Sequence, residues 1–328
     1  MKAIQFQSKG EPTTDTLKLV DIDTPTPKPH EVLIKVEAAG INYADIMMGR
    51  GLYLGGPEHP FIPGFEAAGT IEKLGDSVQG YQEGQRVAAT TNGQAYAQYA
   101  TANATGLIPL PDHVSFEEGA AFPVVFLTAY HCLNTCGKLA AGESVLIHAA
   151  AGGVGTAAVQ LAKAMEATIY ATASNADKLQ LVKDLGADVC INYKEQDFLE
   201  EIRTRTDGKG VDVILESVGG EVLEKSQKAL ATWGRLVVYG AASAQLGQID
   251  PMDLLFRNKS VIGFHLGHMM STRPELGPPS MMELFQLWQT DKIKPVIGKS
   301  FPLEQAADAL TSITERHSVG KVLLLPHA

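Results

Sequence analysis

The chain has 328 residues, 45% of them hydrophobic and 20% charged, with 32 glycines, three cysteines and a formal charge of -10. That length suits two domains rather than one core. The acidic balance argues against nucleic acid as the main partner, and the cysteines are too few for a disulfide framework. No apolar run reaches the roughly 18–20 residues that cross a bilayer, so no membrane partner is expected. The start, Met1-Lys2-Ala3-Ile4-Gln5-Phe6, lacks the apolar core of a secretion signal, and a cytoplasmic protein is expected.

Residues 3–6, 17–21, 31–40, 67–74 and 86–90 read as short strands set apart by Pro-rich or Gly-rich turns, which predicts a mainly β domain. The segment Thr24-Pro25-Thr26-Pro27-Lys28-Pro29 cannot supply a regular ladder and reads as an extended connection. From about Pro123 the character changes. An apolar helix runs through Tyr130 and Leu133, and strands follow at 144–149, 168–172, 188–192, 211–216, 235–239 and 260–264, alternating with helical segments. Most are continuous apolar runs, as in a parallel sheet covered on both faces, so the predicted class is α/β with a Rossmann doubly wound sheet. After about Gly267 come a loop containing Met269, Met270 and Pro279, a helix at 281–288, a strand at 299–301, a helix at 303–315 and a strand at 321–325. This tail is expected to return to the first domain, giving 1–123 plus 268–328 for one domain and 124–267 for the inserted Rossmann domain.

The segment Val145-Leu146-Ile147-His148-Ala149-Ala150-Ala151-Gly152-Gly153-Val154-Gly155 reads as a strand, a tight turn of small residues and the start of a helix over 156–165. A dinucleotide pyrophosphate must meet free N–H groups at such a helix start, and larger side chains would hold the backbone away. Gly152, Gly153 and Gly155 meet that need beside Ala151 and Val154, although Ala150 stands where the first glycine is usual. At the end of the second strand an acidic residue would accept from the adenosine 2′-hydroxyl. Here the chain has Thr172-Ala173-Ser174, then Lys178, a pattern that suits a 2′-phosphate and favours NADPH over NADH. Asp177 is a competing ribose acceptor, and Tyr193 at the end of the third strand can close the pocket. Ser217, Tyr239, Gly240, Phe264 and Leu266 follow later strands, where a dinucleotide lies outside a parallel sheet.

The run Ala38-Ala39-Gly40-Ile41-Asn42, then Gly51-Leu52-Tyr53, Pro63-Gly64-Phe65-Glu66-Ala67-Ala68-Gly69, Gly84-Gln85-Arg86-Val87 and the glycine turn resembles the medium-chain dehydrogenase/reductase superfamily. Within it the chain resembles the zinc-independent quinone oxidoreductases, the group that includes zeta-crystallin. The resemblance implies a GroES-like catalytic domain holding the inserted Rossmann domain. Zinc-dependent relatives place a Cys in the segment matching 42–45 and a His where this chain has Phe65. Neither is present, no structural-zinc cysteines precede Cys132, and no metal is expected.

The resemblance also places Asn42, Tyr53 and Thr128 near the nicotinamide or substrate. Asn42 and Thr128 can orient the nicotinamide amide or ribose, and Tyr53 can hydrogen-bond a substrate oxygen or supply a proton. Asp45 reads as a structural carboxylate in a helix's first turn, and Lys321 either as a group near the cofactor or as a solvated lysine. Without a Lewis acid, electron-poor acceptors fit better than alcohols. The expected activity is therefore metal-free hydride transfer from NADPH to a quinone bound in the interdomain cleft. The alternatives are reduction of an α,β-unsaturated carbonyl or enoyl thioester and, from another class, an NADPH-binding structural or regulatory protein with little turnover. A homodimer is expected through the sheet edge at Val261, Ile262, Gly263 and Phe264.

Overall fold

The chain, a computed structural model in which residues 1–91 and 93–328 are described, divides into two units: 1–124 with 295–328, and 125–294. In the first unit the ten-residue strand Glu31–Gly40 is the organiser, because its alternating and bulged apolar positions let it pair along both edges. Glu66–Leu74 lies antiparallel on one side, with Gly40 opposite Glu66. On the other side Tyr99–Asn103 pairs with its first half, and the last strand, Lys321–Leu325, pairs with its end, Leu323 opposite Gly40. Arg86–Thr90, Leu107–Pro109 and Ile297–Pro302 complete a seven-stranded sheet, and Lys2–Phe6 with Leu17–Asp21 form a separate pair. The core gathers Phe6, Ile46, Tyr96, Leu310 and Val322. This register brings Asn42, Glu66 and Lys321 to one end of three neighbouring strands.

In the second unit six strands, all parallel, lie in the order Val189–Asn192, Thr168–Ala173, Ser144–Ile147, Val211–Glu216, Leu230–Val238, Ser260–Gly263. Strands to either side of Ser144–Ile147 run outward in opposite chain order, so the switch point lies at the end of that strand and of Val211–Glu216. Leu146, Ile214 and Leu236 are fully buried beneath the crossover helices, and such side chains each contribute roughly 1.5–3 kcal/mol.

Several expectations need correction. The second unit runs to Lys294, not to about 267, because the segment expected to be loop is helical and packs on this unit. Leu266–Thr272 and Gly277–Gln289 are helices, joined through the turn Pro274–Leu276. Tyr130 donates to Glu283 (2.6 Å), His131 bonds Ser280 (3.1 Å), and the Gln160 amide holds both the N–H and the C=O of Lys294. The glycine-turn helix begins at Gly153, three residues before the expected start, since glycine-rich turns hide a helix's first turn from propensity. Tyr99–Asn103 and Leu107–Pro109 were not anticipated as strands: the first is Tyr-Ala-Thr-Ala-Asn, with little apolar alternation, and the second is only three residues ending in Pro.

Candidate functional site

The glycine turn is made by backbone. Ser144–Ile147 ends in His148 and a turn in which Ala149 has φ +50°, the Gly152 N–H donates to Ala149 O (2.9 Å), and helix Gly153–Ala164 then starts with Gly152 as its N-cap. The first helical donor held within this helix is Thr156 N–H, to Gly152 O (2.9 Å), which leaves the N–H groups of Gly153, Val154 and Gly155 at the open helix start. Gly155 is required by packing: a Cβ there would lie 2.4 Å from Ala149 O and 2.6 Å from Ala150 backbone carbon. Ala150 and Ala151 are buried beneath the turn, so no side chain stands between the donors and an incoming anion. His148 is anchored between Thr172 (3.1 Å) and Ser226 (2.9 Å), and burial pushes its imidazole down to about 3, so it stays neutral.

Ser174 is buried just beyond Thr168–Ala173, and Tyr193, just beyond Val189–Asn192, donates its N–H to Ala173 O (3.2 Å). Asn175 caps the next helix by accepting from Lys178 N–H (3.0 Å), which sets Lys178 in the first turn. Ser174, Lys178 and Tyr193 therefore share one corner of the sheet's C-terminal edge. Ser217 and Tyr239 follow two adjacent strands; the Tyr239 N–H bonds Glu216 O (2.9 Å), its hydroxyl bonds Ser217, and Gly240 packs closely on Ser217. Phe264 follows the edge strand, stacked on His131 with centroids 5.8 Å apart, and Leu266 opens the next helix. Thr128 is buried on helix Pro123–Tyr130. Two residues here were not singled out by sequence reasoning. His131 sits in a π-helical turn, His131–Cys136, bonded to Thr135 and Ser280, and Glu216 is wholly buried, with one oxygen accepting from Val218 and Gly219 N–H.

In the first unit, side chains dominate. The Lys321 ammonium, 3% exposed, lies 2.5 Å from Glu66 Oε1 and donates to Asn42 Oδ1 (2.6 Å), while Asn42 Nδ2 donates to the same Glu66 oxygen (3.0 Å). Glu66 Oε2 accepts from Val124 N–H (2.8 Å). Beside this triangle the buried Asp45 carboxylate accepts from Asn42 N–H (2.8 Å), Gly64 N–H (3.1 Å) and the Tyr96 hydroxyl (2.8 Å). Burial pushes Asp45 up to about 6, against the pull of those donors and of Lys321. Tyr53 is half-buried with its ring 6.3 Å from that of Phe65, and burial and the Asp45 charge raise its phenol, which therefore keeps its proton at neutral pH. Asn42 and Tyr53 thus belong to this unit, Thr128 and the residues expected at the nucleotide to the other. The solvated-lysine reading of Lys321 is wrong, since its ammonium is buried. Resemblance had drawn in both, Glu66 within the segment from Pro63 to Gly69 and Lys321 as a position near the cofactor, and each stands at the first position of its strand.

Among the described residues no three His, Cys, Asp or Glu side chains come together as a metal site requires, and no helix is long and apolar enough to cross a membrane.

The chain matches the alcohol dehydrogenase GroES-like domain family over residues 28–112 and the zinc-binding dehydrogenase family over residues 153–284. It is 36% identical to the quinone oxidoreductase of Rattus norvegicus, over 98% of this chain and 96% of that protein. It is also 36% identical to the synaptic vesicle membrane protein VAT-1 homolog of Danio rerio, over 94% of this chain and 67% of the fish protein. Among solved structures, Escherichia coli quinone oxidoreductase complexed with NADPH superposes with a TM-score of 0.92 at 33% identity, covering 99% of this chain and 100% of that one. The CurK enoyl reductase superposes with a TM-score of 0.89 at 33% identity, covering 99% and 98%.

Proposed function

Because the chain belongs to the zinc-independent quinone oxidoreductase family of the medium-chain dehydrogenase/reductase superfamily, we propose that it is an NADPH-dependent oxidoreductase that reduces quinones by direct, metal-free hydride transfer. The observation that carries the reading is the open helix start at Gly153, Val154 and Gly155, at the switch point of the parallel sheet. Those N–H groups take the diphosphate, and Ser174, Lys178 and Tyr193 take the adenosine 2′-phosphate. Bound there, NADPH supplies a hydride from C4 of its reduced nicotinamide. Asn42 and Thr128 orient the nicotinamide amide or ribose, and the Tyr53 phenol donates a hydrogen bond to an oxygen of the acceptor. A quinone that accepts the hydride becomes a hydroquinone anion, and one proton from solvent or from Tyr53 completes the hydroquinone.

Metal-free chemistry is supported by the donor set. Asp45 already accepts from Asn42, Gly64 and Tyr96, and Phe65 offers no lone pair. An acceptor must then already stabilise the charge that arrives with the hydride. Steady-state oxidation of NADPH and of NADH with a panel of benzoquinones and naphthoquinones tests the reading; NADPH binding without turnover on any of them refutes it. The likeness to an enoyl reductase favours a second reading, reduction of α,β-unsaturated carbonyls or enoyl thioesters. Deuterium from 4-deuterated NADPH retained on carbon of a saturated product selects that reading.

Association as a homodimer is part of the proposal. Ser260–Gly263 is an edge strand, and the preceding helix Pro251–Arg257 exposes Met252, Leu255 and Phe256, spaced to form one apolar face. Sedimentation of the wild type against Phe256→Glu checks it: the wild type runs at twice the chain mass and the variant at once.

A further inference from the structure

We propose that Lys321 and Glu66 are positioning residues that hold the Asn42 carboxamide in one orientation, so that it meets the nicotinamide half of the cofactor through its oxygen alone, as a hydrogen-bond acceptor. The inference rests on the reading of the chain as an NADPH-binding protein. An ammonium can only donate and a carboxylate can only accept. Lys321 Nζ against Asn42 Oδ1 at 2.6 Å and Glu66 Oε1 against Asn42 Nδ2 at 3.0 Å therefore define which end of the amide is oxygen. A flipped amide would set its NH₂ against the ammonium and its carbonyl against the carboxylate, losing both bonds. The remaining Nδ2 hydrogen faces Gly40 O of its own strand (3.4 Å), so the nitrogen end is turned inward. The Asn42 backbone N–H is held by Asp45.

Exposure sorts the three partners. Lys321 and Glu66 are 2% and 0% exposed, whereas Asn42 is partly exposed, so within the triangle the amide is the group that a ligand can reach. The pair is itself fixed by the fold: Lys321 and Glu66 begin strands that flank Glu31–Gly40, and Gly40 leaves room for Glu66, whose Cγ would lie 2.7 Å from a Cβ there. What the arrangement recognises is a donor, either an N–H of the nicotinamide carboxamide or a hydroxyl of the nicotinamide ribose.

The test measures kcat/KM for NADPH with one quinone, together with the affinity for 2′,5′-ADP, which reports the adenosine half alone. Lys321→Met should lower kcat/KM roughly tenfold, the loss of one hydrogen bond to a charged group, and leave 2′,5′-ADP binding within about twofold. Lys321→Arg should recover most of the loss. If Lys321→Met does not fold, the neutral pair Glu66→Gln with Lys321→Met removes the uncompensated charge and takes its place. Two cofactor analogues then name the donor: reduced 3-acetylpyridine adenine dinucleotide phosphate, lacking the carboxamide N–H, and the analogue lacking the 2′-hydroxyl of the nicotinamide ribose. With the one lacking the recognised donor, wild type should fall to the level of the variant, and the variant should fall no further. Losses that add independently with both analogues, or a variant with unchanged kcat/KM, overturn the proposal. Failure of the wild type to bind either NADPH or 2′,5′-ADP strikes instead at the cofactor reading itself.

Discussion

The glycine turn of one unit and the Asn42 cluster of the other offer hydrogen-bonding groups in opposite ways. At Gly152–Gly155 the donors are main-chain N–H groups, and the side chains contribute by being absent. At Asn42 the group on offer is a side chain, hydrogen-bonded to Lys321 and Glu66 while Asp45 holds its backbone N–H, and none of these three is exposed. The first is aimed by the helix and tolerates any neighbour small enough. The second is aimed by buried charge and tolerates almost no change. A backbone site should therefore fail by steric displacement, a buried-charge site by loss of stability.

The largest effect is expected where the charge is stranded. Lys321→Met leaves Glu66 buried without its cation, and breaking such pairs costs about 3–5 kcal/mol. That corresponds to a melting temperature lowered on the order of ten degrees, measurable by calorimetry. Pairing it with Glu66→Gln should restore most of the stability. A double variant no more stable than the single one would show that the network is held by shape rather than by charge.

Acid should separate the two units next. His148 is held neutral down to about 3 in the native state, against 6.5 when unfolded, so falling pH favours the unfolded chain, by about 1.4 kcal/mol per unit below roughly 6.5. Asp45 has the opposite sign. Its native carboxyl protonates at about 6, against 3.8 when unfolded, so its contribution is fully present below 3.8 and is lost as pH rises through 6. Hydrogen exchange at pH 7 and pH 5 should show protection falling in strands Ser144–Ile147 and Val211–Glu216 relative to Glu31–Gly40. Equal losses in both would count against the assignment of these two groups.

Gly155→Ala should act through position. Its methyl would overlap Ala149 O, so the helix must move off the turn, at a cost of about 1–3 kcal/mol in stability. A displaced helix start should also weaken NADPH by about tenfold or more, equivalent to 1.4 kcal/mol, as read by titration. The smallest effect is expected at Lys178, partly exposed in its helix. Lys178→Ala should narrow the preference for NADPH over NADH by roughly three- to tenfold, while kcat with NADH stays within twofold.

The same contrast explains what could be read from the sequence. The turn was legible because a steric requirement leaves glycines at fixed spacing, and the six apolar strands were legible because a parallel sheet buries both faces. Asn42 entered by resemblance, but the partners that orient it arrive from positions 66 and 321, which only strand register brings together. The helix expected at 281–288 is present, but the segment before it, from Leu266 to Ser280, was read as loop because Pro, Gly and Met residues are weak local signals. Its place is decided by contacts of Ser280 and Glu283 with His131 and Tyr130, far away in the chain.

The helix Pro251–Arg257 beside the edge strand also bears on how the protein behaves in concentrated solution. With a formal charge of -10 and an isoelectric point near 5.4, copies at neutral pH repel one another, which weakens but does not abolish the pairing proposed for the faces that carry Met252, Leu255 and Phe256. Near pH 5.4 that repulsion vanishes while the apolar contact stays. The dissociation constant of the dimer should accordingly fall there, and moderate salt at neutral pH should mimic the change by screening.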